Sequence, residues 1–310
     1  MHVCYCRGAV ILDTNITLLV AADKFRYVFW ALQHDEFDPN LIVCGVGHTL
    51  ATVNKLTGEF ITIAGDVNGG LGYVEGVGSV ARFNSVTGVT QTRAHYLVSD
   101  SNNNCIRSVR RNNHETTTFA GRCKSNGTND GPLLTARLML PRGLTKYSDE
   151  IFYLCDHISV RIIDLSTGYL RTYLYQTQSN RLYNTVIQPS GDVFISANHG
   201  VLQSAAYGAQ WITGGPTEGV GCDSCSLSTA SFYEPWGISF LTPTVLLMTD
   251  VRYRGLRVLN ISSKTAYSTS LPVLRFPTCL LVDHHTNTIY IGEWETEGGG
   301  LRKLPFSGEE

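Results

Sequence analysis

Any chemistry in this chain would come from a recurrent set of imidazoles, carboxylates and amides, each set following a short apolar run. The set comprises His48, Asp100 with Asn103, Asp156 with His157, Asn198 with His199, Asp250, and Glu293 with Trp294. Brought together, such groups are ligands for Zn²⁺ or Ca²⁺ and can act as general acids and bases. His48, His157 and His199 come from three separate segments and would be the metal set. The competing reading is structural. An Asp or Asn that recurs after the same kind of strand caps a turn by accepting backbone N–H bonds. Repetition favours that reading for Asp100, Asp156 and Asp250, but no turn requires the histidines.

Other groups carry weaker chemistry. "CDSC" at 222–225 has neither the second Cys pair of a zinc site nor the βαβ setting of a redox motif, so a loop-stiffening Cys222–Cys225 disulfide is expected. Cys4, Cys6 and Cys123 are further candidates, with a link from Cys4 or Cys6 to Cys279 or Cys105 open. Cys44 and Cys155 lie inside apolar runs and read as buried thiols. "GDVNGGLG" (65–72) lacks the lysine and helix of a phosphate loop, and "HDEFDPN" (34–40) reads as a solvated hairpin loop. Arg82 and Arg107 are expected to pair with acids of neighbouring units. Of the four tryptophans, Trp236 sits between Pro235 and Gly237 and reads as core, whereas Trp294 is the surface candidate.

Composition narrows the function classes. The 310 residues are 43% hydrophobic and 16% charged, enough to bury a core, and the formal net charge of -2 gives no basic field for nucleic acid. No apolar run reaches the roughly 18 residues that cross a bilayer, so this segment is not expected to insert into a membrane. Nine cysteines and sequons at Asn15, Asn126 and Asn260 favour an oxidising compartment. With no leader in the first residues, the chain reads as an ectodomain of a membrane-anchored protein at the cell surface.

The elements that would position these groups are repeats. "EGVGSVARFNSVTGVTQTRAHYLVSDSNNNCIRSVRRNNHETTTFAG" (75–121) overlays "DGPLLTARLMLPRGLTKYSDEIFYLCDHISVRIIDLSTGYLRTYL" (130–174), and "ASFYEPWGISFLTPTVLLMTDVRYRGLRVLNISSKTAYSTSL" (230–271) is a third copy. Weaker copies occupy 25–65, 182–215 and 276–306. Each unit reads as four short strands rich in β-branched and aromatic residues. A lone four-stranded sheet cannot bury both faces, so such units stack around an axis. The expected fold is therefore an all-β, six-bladed β-propeller of four-stranded blades in a single domain, 1–310. The last unit supplies only three strands, so the N-terminal segment 1–24 is expected to close the ring as its outer strand, burying Ile11, Ile16, Leu18 and Val20.

The order [DE]-G-x4-A-R-[FL], G-[VL], then D-x-x-N, I-R-x-[VI] and "FAG" resembles the NHL repeat, most clearly over 75–121. That resemblance implies a rigid propeller presenting variable loops, here a non-enzymatic extracellular recognition or adhesion module whose partner is another cell-surface protein. The degenerate blades, sequons and cysteines together are similar to the ectodomains of kinetoplastid flagellum-attachment glycoproteins. Two alternatives follow from the same resemblance. One is a metal-dependent propeller lyase or hydrolase using His48, His157 and His199; the other is an intracellular NHL scaffold.

Overall fold

The computed structural model describes residues 10–12, 16–20, 28–175, 181–205, 208–215, 224–271, 274–294 and 300–308. Their strands form six antiparallel sheets, spanning 29–64, 76–120, 131–175, 182–214, 224–270 and 276–308. Each sheet is a blade of a β-propeller, numbered here one to six in chain order. The innermost strands are Phe29–His34, Val86–Gln91, Pro141–Lys146, Leu182–Ile187, Pro235–Thr242 and Phe276–Asp283, and each packs on the next around the ring.

The repeat motifs explain this packing. In Ala-Arg-apolar, Ala81 and Phe83, and likewise Ala136 and Leu138, are buried in the seam between two blades. Six hydrophobic clusters form, one per seam, and the one built on Phe29, Val46, Tyr290 and Leu301 joins the last blade to the first. The glycine of the Gly-apolar step exists for close approach rather than for its φ. A Cβ on Gly88 would lie 2.2 Å from the Arg142 carbonyl oxygen, and one on Gly143 would lie 2.3 Å from Asn184 Oδ1. At these two seams the inner strands approach so closely because this position has no side chain.

Ring closure uses two N-terminal strands rather than one. Val10–Leu12 and Thr17–Val20 both pair antiparallel with Leu301–Gly308, the third strand of blade six. Val20 is buried and Ile16 packs on the adjoining core, but Leu18 is 48% exposed, contrary to expectation. The pairing register shifts between Leu18 and Val20, which takes Leu18 off the face that buries Val20. The side chain of Ile11 lies outside the described residues. Three blades also gain a short fifth strand, Gly76–Val77, Gly131–Pro132 and Ser224–Ser226, because the segment leading into the blade pairs with its outer edge.

The cysteine expectations need correction. Cys123 bonds Cys105 of its own blade, so neither joins the N-terminus, and Cys279 is a buried free thiol. The loop carrying Cys123 folds back onto the strand that begins at Cys105, which no linear spacing reveals. Cys44 and Cys155 are buried thiols. Cys225 is disulfide-bonded, while Cys4, Cys6 and Cys222 lie outside the described residues. Asn126 is exposed, Asn260 is half-buried with its Oδ1 accepting the Ser263 N–H, and Asn15 lies outside the described residues. No helix among the described residues is long and apolar enough to cross a membrane.

The hairpin at 34–40 is an anchor and not a solvated loop. Asp35 is buried, accepts two hydrogen bonds from Arg111 of the next blade at 2.7 and 2.8 Å, and accepts the Tyr96 hydroxyl at 3.1 Å. Beside it, buried Lys55 pairs with Asp283 of blade six at 2.8 Å and contacts His34 at 3.3 Å. This end of the propeller is closed by ion pairs that tie the first blade to its two neighbours.

Candidate binding site at the channel mouth

The opposite end, where inner strands begin and second strands finish, carries most of the predicted residues. Asp100, Asp156 and Asp250 are fully buried and do not face the channel. Each pairs with a buried arginine on the third strand of its own blade: Asp100 with Arg107 at 3.3 Å, Asp156 with Arg161 at 2.9 Å, Asp250 with Arg257 at 3.2 Å. Glu293 repeats the arrangement with Arg302 at 2.5 Å. These acids also cap, but not the turn that follows the second strand. They accept N–H bonds from the segment entering the inner strand, at Asn84, Met139, Tyr233 with Glu234, and Arg275 respectively. Asn103, also buried, donates to Asp100 and to the Gly72 carbonyl. Burial pushes the Asp156 carboxyl up to about 7, against the stabilising Met139 N–H and Arg161. Arg107 therefore pairs within its own blade, and Arg82 pairs with Asp66 in the preceding loop.

The histidines do not fit the metal expectation. His157 takes the first position of a two-residue turn with φ 55°, whereas His48 and His199 take the second position of theirs. The offset of one residue sends them in different directions. His48 accepts the Ser85 N–H on Nδ1 at 3.0 Å, while Nδ1 of His199 is buried without a hydrogen-bond partner. His157 is held below its ordinary pKa by burial and then by the guanidinium groups of Arg181 and Arg142, a setting that repels a cation. Among the described residues no three His, Cys, Asp or Glu side chains are grouped to hold a metal ion.

What converges instead is aromatic. Trp30 of blade one and Trp236 of blade five meet across the mouth with ring centroids 5.3 Å apart. Tyr183 of blade four lies 5.4 Å from Trp236. Trp236 is therefore half-buried at the mouth rather than core. Arg142 of blade three covers the Tyr183 ring at 5.3 Å. The Tyr183 hydroxyl donates to Asn198 Oδ1 at 2.7 Å, which brings one predicted rim residue into the cluster. The indole N–H of Trp236 is buried beside Tyr183 without hydrogen-bond geometry to a partner. Beneath lies a cavity of about 140 Å³ walled by all six inner strands, with Gln33, Thr87, Thr145, Asn184, Ser239 and Thr278 among its polar residues. Trp294 sits at the same rim, 41% exposed and 5.7 Å from Phe276.

The side chain of Arg142 makes no ion pair among the described residues. Burial draws it below its ordinary pKa, with Arg181 adding to that pull against an opposing contribution from Tyr183. The carboxylate near Tyr183, Glu234, lies 3.7 Å from Arg252. Sequence reasoning overlooked Arg142 and Tyr183. The available signal was positional, since Arg142 and Trp236 each precede the glycine of an inner strand that approaches its neighbour.

No protein family model matches the chain, and no curated protein matches its sequence. Solved structures share its fold. An auxiliary nutrient binding protein from Bacteroides thetaiotaomicron superposes with a TM-score of 0.71 at 13% identity, covering 94% of this chain and 76% of that one. A gluconolactonase from Xanthomonas campestris gives 0.64 at 12% identity, with 97% and 91% covered. A virginiamycin B lyase from Staphylococcus aureus gives 0.60 at 11% identity, with 94% and 99% covered. At such identities these structures establish the fold alone, and none bears on the flagellum-attachment resemblance. The chain is thus a six-bladed β-propeller.

Proposed function

We propose that this propeller is a recognition module of an oxidising, cell-surface or extracytoplasmic compartment. It binds its target at the aromatic mouth of the channel and carries out no reaction of its own. The observation that carries the proposal is the joining of Trp30, Trp236 and Tyr183 from three blades into one half-buried aromatic surface. Tryptophan and tyrosine concentrate binding energy at protein interfaces, because a large rigid area is desolvated for little loss of side-chain freedom. The acids near this rim are committed to arginines, which favours binding over acid–base chemistry. The Cys105–Cys123 disulfide supports the compartment.

The test is capture from a cell-surface extract with the wild-type chain and with Trp30→Ala and Trp236→Ala, followed by mass spectrometry. A partner retained by the wild type and lost by folded mouth variants supports the proposal. Equal retention by the variants removes the mouth as the site. Recovery of cytosolic RNA-binding proteins alone overturns the compartment.

A further inference from the structure

Arg142 differs from the buried arginines in being half-buried at the channel mouth. Arg107, Arg161 and Arg257 each lie against a carboxylate of their own blade, at 3.3, 2.9 and 3.2 Å. Arg142 sits on an inner strand, walls the axial cavity, and meets no acid among the described residues. Its charged neighbour, Arg181, is of its own sign, and Glu234, which lies near Tyr183, is 3.7 Å from Arg252. Even a half-buried guanidinium without a counterion carries a desolvation cost to the fold. Such a cost is retained where an incoming anion relieves it.

We propose that the channel mouth is a carboxylate site. Arg142 takes the carboxylate of a ligand whose ring lies against Trp236 and Trp30. Guanidinium and carboxylate match as a planar, two-point pair, and the Arg142 guanidinium lies over the Tyr183 ring, 5.3 Å from its centroid. The cavity of about 140 Å³ takes one small ring with its acid group and not an extended chain. This deepens the recognition reading and rests on it: the carboxylate is the feature of the target that the mouth reads.

The experiment is titration of the purified chain followed by tryptophan fluorescence and calorimetry. The probes are benzoate and glucuronate, with benzamide and glucose as ring-matched neutral controls. At least one acid is expected to bind saturably and about 10- to 100-fold more tightly than its control, the range for a charge-assisted pair. Preference for benzoate assigns an aromatic acid and preference for glucuronate a sugar acid. Arg142→Met should erase the preference while leaving the melting temperature unchanged or raised. Equal affinity for acids and controls in the wild-type chain overturns the proposal whatever the variant does, as does a preference that survives Arg142→Met. Partner capture that depends on Trp236, without any acid preference, would overturn this inference and leave the recognition function standing. An acid preference without mouth-dependent capture would do the reverse.

Discussion

Replacing Asp156 by alanine tests the assignment of the repeated acids to scaffolding. Asp156 and Arg161 are both 0% exposed, 2.9 Å apart. Removing the carboxylate leaves Arg161 with Asp130, at 2.8 Å and 48% exposed, and with the carbonyls of Arg137 and Asn129. Breaking a buried pair from one side costs about 3–5 kcal/mol, and the surviving Asp130 contact places this site near the lower end. The Met139 N–H, which donates to Asp156, loses its acceptor for about another 1 kcal/mol. The total is about 4 kcal/mol. With an m-value of about 3 kcal/mol/M, the urea midpoint followed by tryptophan fluorescence should fall by about 1.3 M. Removing both charges in Asp156→Leu/Arg161→Met should recover about half of the loss, since the uncompensated guanidinium is gone. A midpoint shift below about 0.3 M, or a double variant as unstable as the two single losses summed, would refute the reasoning.

Three further outcomes are expected. Gly88→Ala forces a Cβ against the Arg142 carbonyl at 2.2 Å, so it should cost about 1–3 kcal/mol in chemical denaturation and weaken binding at the mouth by displacing Arg142. Replacing Cys105 and Cys123 with alanine opens a crosslink across 18 residues and should cost about 3 kcal/mol, seen as a lower thermal midpoint. Deleting residues 1–20 exposes Leu301–Gly308 as an unpaired edge and should lower both the melting temperature and its cooperativity; an unchanged melt would show that the closing strands contribute nothing.

The sequence determined the blades. Period-two apolar patterning, the Ala-Arg-apolar lead-in and the glycine within the inner strands of blades two, three and five are local consequences of burying both faces of a small sheet. They are legible wherever the same unit recurs, and the N-terminal closure followed from counting strands. The three-dimensional arrangement decided everything that depends on direction and on distant partners. Asp100, Asp156 and Asp250 read in one dimension as caps of the turn that follows them, yet antiparallel pairing sets them against arginines a few residues on. A one-residue offset in two-residue turns separates His157 from His48 and His199, since side chains on successive turn residues diverge. Trp30, Tyr183 and Trp236 are far apart in sequence and become neighbours only when the ring closes. Arg142 gains its meaning from what the closed ring does not place beside it.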